Sequence, residues 1–211
     1  MAKTFASFRA KDDADAERHL IACNALVELL LTDPRVERLH KDWLRETGLR
    51  TLARRVRVAK TPAIRDARQA EFAWSYGIAL NVLALVLSGF VTKELRLPYP
   101  NLALQLAMHF ATAIANEAAA SDLVPVTLVF PPRGTPRGRR AKGGGESIRR
   151  NVEWFYRLHV QQPPETMAQL TKEYSKQANR RTAAHSVVQN GIIRAKALLD
   201  AAEFVFQTPP K

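Results

Sequence analysis

Ser147–Leu199 reads SIRRNVEWFYRLHVQQPPETMAQLTKEYSKQANRRTAAHSVVQNGIIRAKALL, and its punctuation describes three helices in a compact unit. Pro163-Pro164 must break a first helix from a second, because proline has no N–H to give the helical ladder. A polar stretch bearing Arg180 and Arg181 then separates the second helix from a third. In the third, stepping about 100° per residue from Val188 puts Ala184, Val187, Gly191, Ile192, Ala195, Leu198 and Leu199 on one side. Ser186, Gln189, Asn190 and Arg194 fall opposite, on the side expected to face solvent.

The chemistry of that outer side is specific. Gln and Asn can form two-pronged hydrogen bonds to an adenine edge, and Arg holds phosphate or guanine by charge and geometry. Ser186, Gln189 and Asn190 are therefore the candidate base readers. Arg180, Arg181, Arg194 and Lys196 are candidate phosphate contacts, joined by Arg149 and Arg150 at the start of the first helix and by Arg139 and Arg140 upstream. Thr182 is placed to cap the third helix, expected over 182–199. The bland alternative is a helical hairpin with a solvated polar face.

Charge favours a polyanion partner. The chain has 211 residues with 32 Lys or Arg against 20 Asp or Glu, a net charge of +12. At neutral pH such a surface attracts nucleic acid or anionic membrane. Pro131–Lys196 carries 14 basic residues against 4 acidic, and Arg35–Arg68 carries 11 against 4, whereas Asp12–Pro34 has 1 against 6. The C-terminal unit is thus the most basic part, and a second basic surface belongs to the N-terminal half.

The residues MAQLTKEY and HSVVQNGIIRAKALL resemble the paired helices of the helix-turn-helix modules in serine resolvases, in region 4 of sigma factors and in small bacterial regulators. The resemblance covers about 35 residues at the C-terminus and none of the N-terminal part. It implies sequence-specific binding of double-stranded DNA through the major groove, as in a transcriptional regulator or a phage or mobile-element factor. Between Tyr174 and Val187 lie twelve residues, SKQANRRTAAHS, so either the first helix of the pair is extended or the turn is a loop.

The rest of the chain reads as a helical bundle. A first helix is expected over about Ala14–Leu31. Asp33-Pro34 and Thr61-Pro62 each give a cap followed by proline at the first helical position. Gly48 should close the helix between them. Phe72–Thr92 is a run of 21 residues without a charge and Leu97–Asn116 a run of 20, so each could span a bilayer by length. Asn81, Gln105, His109 and Asn116 are costly in hydrocarbon, which favours two helices at the centre of a bundle and no membrane partner. Val124–Phe130, VPVTLVF, is the one strand signal. It is followed by PPRGTPRGRRAKGGGE, whose composition is that of a linker.

The expected architecture is mostly α: a bundle over 1–130 with one short extended segment, a basic linker over 131–146, and the three-helix module over 147–211. The bundle is expected to form a homodimer through its apolar helices. A single cysteine, Cys23, excludes an intramolecular disulfide. No phosphate loop, nucleophile elbow or metal-binding motif is present, and no cofactor, metal or catalytic role is expected. His19 and Cys23, four apart, are more simply packing residues than ligands. The N-terminus lacks an apolar signal segment, and a cytoplasmic, nucleoid-associated protein is expected. Trp154, Phe155 and Tyr156 could stack unpaired bases, but adjacent helical residues cannot share a face, so Phe155 is assigned to the core and the other two to its flanks. The competing class is a helical adaptor or assembly protein that meets an acidic protein or RNA through its basic faces.

Overall fold

The computed structural model describes residues 5–119, 144–178 and 184–207, with side-chain surroundings for 17–99, 102–119, 145–177 and 184–200. All regular structure among the described residues is helical. The order is α1 Phe5–Leu31, α2 Pro34–Thr47, α3 Leu49–Arg57, α4 Pro62–Gly89 with a π-helical turn Phe90–Glu94, α5 Pro100–Glu117, α6 Gly144–His159, α7 Met167–Ala178 and α8 Ala184–Gln207. The strand expected at Val124–Phe130 lies outside the described residues, as do 131–143 of the linker.

The local signals fix the breaks. Thr61 caps α4, its hydroxyl accepting from the Ile64 N–H at 3.4 Å, with Pro62 at the first position. Gly48 separates α2 from α3 at φ 63°, a left-handed conformation that suits a residue without Cβ. α1 begins earlier than the Ala14 expected from its apolar stripe, at Phe5.

The chain divides into two compact units. One gathers 1–33, 95–102 and 141–211, where α1 packs on α6 and α8 and α7 packs on α8. Its core holds Leu26, Leu30, Val152, Leu170 and Val188, all almost fully buried. Asp33, the one buried charged residue identified among those described, accepts a hydrogen bond from the Tyr156 hydroxyl at 2.9 Å. Tyr99 donates to Asp200 Oδ1 at the same distance.

The other unit holds 34–94 and 103–140. α4 packs on α2 and α3 through Phe72, Tyr76, Ala79, Leu83 and Leu87, a stripe at helical spacing. Trp43 donates its indole N–H to the Ala79 carbonyl at 3.0 Å, and His40 stacks on Phe110 of α5 with ring centroids 3.9 Å apart. α4 is not buried all round, as the uncharged run suggests. Trp74, Ile78, Val82, Leu85 and Val86 are exposed, Trp74 and Leu85 by about three quarters. The reason is that α2 and α3 cover one side of α4 only. Pro62–Glu94 is also long and apolar enough to cross a membrane by length and composition, with 28% of its most apolar window buried.

Candidate nucleic-acid interface

The pair α7–α8 is mounted on α6. Pro163 and Pro164 interrupt the chain after His159, and α7 is then started by Thr166 and Gln169. The Thr166 hydroxyl accepts from the Gln169 N–H at 3.3 Å, while Gln169 Oε1 accepts from the Thr166 N–H at 2.7 Å. This reciprocal arrangement is a capping box, legible in the sequence as Thr-x-x-Gln before an apolar-periodic helix and missed in reading it.

Arg157 ties the turn together. Its guanidinium binds Glu165 in two-pronged fashion at 2.9 and 2.8 Å, reaches Glu173 on α7, and lies 3.4 Å from Glu153 on its own helix. These bonds, to Glu173 first and Glu165 second, raise the pKa of Arg157, and the same contact lowers that of Glu173. The expected extra length between Tyr174 and Val187 is partly helix: α7 continues to Ala178, leaving only 179–183 before α8.

α8 presents its faces largely as its periodicity requires. Ala184, Val188, Gly191, Ile192, Ala195 and Leu199 are buried. Val187 is not on the inner face but 38% exposed, and Leu198 is half-buried, because both lie at the edge of the inner arc. Gly191 marks a close approach to α6: a Cβ there would stand 2.7 Å from Asn151 Oδ1 and 2.8 Å from the Trp154 ring. Ser186, Gln189, Asn190 and Arg194 are all exposed. Ile193, 58% exposed, lies among them and gives the face an apolar member absent from the expected set.

The expected phosphate contacts have varied surroundings. Arg194 makes no ion pair among the described residues. Lys196 pairs with Asp200 at 2.7 Å, one turn on. Arg149 pairs with Glu28 of α1. Arg150 lies over the rings of Trp154 and Tyr174, 5.1 and 5.7 Å from their centroids. Arg139, Arg140, Arg180, Arg181 and Thr182 fall outside the described residues. Trp154, Phe155 and Tyr156 are all buried, against the expectation of one core residue and two flanking ones. Three adjacent helical positions point in three directions, and α6 is covered on several sides, by α1, by α8 and by Tyr174 of α7.

Cys23 is buried, and no three His, Cys, Asp or Glu side chains converge as metal ligands among the described residues. Comparison with known proteins returns no matching family, no curated relative and no solved structure.

Proposed function

We propose that this is a sequence-specific double-stranded DNA-binding protein that reads the major groove with the outward face of α8. The observation that carries this reading is the exposure of Ser186, Gln189, Asn190 and Arg194 on a helix anchored by its opposite face. Adjacent polar side chains able to pair with base edges, held on a rigid support, are what direct readout requires. The resemblance of α7 and α8 to helix-turn-helix pairs supports the same assignment. Arg194 and Lys196 supply charge beside the readers, with Arg149 and Arg150 on α6. Lys196 and Arg149 would exchange their carboxylate partners for phosphate, at little cost because exposed ion pairs are weak.

The exposed stripe Trp74, Ile78, Val82 and Leu85 supports a homodimer, since apolar rows of this kind are favoured where a second surface covers them. A dimer would bring two α8 helices to a palindromic site, the role of a transcriptional regulator or mobile-element factor. The test is selection from a random duplex pool at moderate salt. Enrichment of a motif with two related halves is the expected result. Uniform recovery of all sequences would remove the assignment of α8 as a reader.

A further inference from the structure

α3 carries two parallel stripes. Leu49, Ala53 and Val56 are buried, anchoring one side of the helix. Arg50, Arg54 and Arg57, each one position later, repeat the same spacing about 100° around the axis and are exposed. The three line a single open hollow of about 400 Å³ together with Thr51 and Glu117. Glu117 stands 3.7 Å from Arg50 and is the one carboxylate in ion-pair range of these arginines among the described residues. Arg54 and Arg57 have none. Basic residues in a last helical turn do suit the macrodipole, but that role does not require Arg50, in the first turn, to share their face.

From this arrangement we infer that the outward face of α3 is a second phosphate-binding surface, taking the sugar-phosphate backbone of duplex nucleic acid on Arg50, Arg54 and Arg57. Seven residues of helix span about 10 Å. A DNA strand carries one phosphate per about 3.4 Å of axis, so the row matches a run of about three. Guanidinium groups bind phosphate in two-pronged fashion, and the Thr51 hydroxyl adds a neutral donor. The surface offers no Asn or Gln to pair with adenine, and its arginines are assigned to the backbone, which carries no sequence information. The inference rests on the DNA-binding reading for the identity of its polyanion, not on α8 being a reader.

The experiment is the salt dependence of binding to a random-sequence duplex, measured on the full chain by fluorescence anisotropy. Three proteins are compared: wild type, Arg50→Gln/Arg54→Gln/Arg57→Gln, and Arg38→Gln/Lys41→Gln/Arg45→Gln. The last removes the same charge from exposed positions of α2, where Lys41 and Arg45 are already paired with Glu37 and Asp42. Each phosphate contact contributes about 0.9 to the slope of log K against log salt, so the α3 variant should lose about 2 to 3 from that slope. It should also bind at least tenfold more weakly at low salt, with the α2 variant close to wild type. Circular dichroism on each protein verifies the fold. An unchanged slope in the α3 variant, an equal loss in the α2 variant, or no duplex binding by wild type at low salt would each overturn the inference. Loss of slope in the α3 variant with no sequence preference in wild type would leave α3 standing and remove α8 as a reader.

Discussion

Replacing Gly191 by Ala tests how closely α8 is seated on α6. An added Cβ would meet Asn151 Oδ1 at 2.7 Å and two carbons of Trp154 at 2.8 Å, well inside the contact distance of about 3.5–4.0 Å. Asn151 can swing aside. The indole has less freedom, because Tyr174 meets it edge-on at 5.3 Å and Arg150 lies over its face. Overpacking of this kind costs about 1–3 kcal/mol, against a gain of about 1 kcal/mol for alanine over glycine inside a helix. The net is a loss of about 0–2 kcal/mol, and the restricted indole puts Gly191→Ala toward the upper end. Gly77 of α4 is the control, since nothing lies within 4 Å of its added Cβ, and Gly77→Ala should gain about 0.5–1 kcal/mol. Urea unfolding followed by circular dichroism gives both values. A Gly191→Ala protein more stable than wild type, matching the expected gain at Gly77, would mean that α8 does not sit against Trp154 as described.

Further predictions concern buried polar groups and acid. Tyr156→Phe removes the hydroxyl that donates to the buried Asp33 carboxylate and should cost about 1–3 kcal/mol, whereas the Tyr76 hydroxyl has no hydrogen-bond partner among the described residues, so Tyr76→Phe should be neutral or stabilising. Thermal melts of the two variants distinguish these outcomes. Arg157→Gln should cost about 2 kcal/mol by removing the guanidinium that pairs with Glu165 and Glu173. The Arg157 bond lowers the folded pKa of Glu173, so its contribution is present above the unfolded value of about 4.3 and lost as pH falls through the folded one. The deficit of Arg157→Gln should therefore shrink in melts below about pH 4. Burial, with Arg50 and His109 nearby, lowers the His40 pKa, and desolvation, with Lys196 nearby, lowers that of His159. Both favour the neutral ring on folding, so this stability is present above about pH 6.5 and lost as pH falls through the folded values. A midpoint that drops as pH falls below about 6.5, less so in His40→Phe, is expected; a flat profile would contradict it.

What the sequence disclosed was local. Thr61-Pro62, Gly48 and Pro163-Pro164 act through their own backbone chemistry, so the helix breaks they imply need no tertiary information. The inner face of α8 was legible for the same reason, since periodicity alone assigns Val188, Gly191 and Ile192 to one side. Periodicity does not say what covers a face. That α1 packs on α6 and α8, so that Trp154, Phe155 and Tyr156 are all buried, depends on an element more than a hundred residues away. The exposed stripe of α4 was missed because an uncharged helix looks alike whether covered on every side or on one. The partners of the candidate site were hidden likewise: Arg149 meets Glu28, and Arg150 meets Tyr174, only once the helices pack. Lys196 and Asp200 could have been paired from their spacing of four.

The most direct test of the central claim is anisotropy of wild type and Gln189→Ala/Asn190→Ala on an enriched duplex and on a scrambled one, at a single salt concentration. Both substituted residues are exposed, so the fold is expected to persist. The account predicts that wild type prefers the enriched duplex by at least a hundredfold and that the double variant loses most of this preference while binding the scrambled duplex as before. Equal preference in the two proteins, or none in either, would show that α8 does not read DNA.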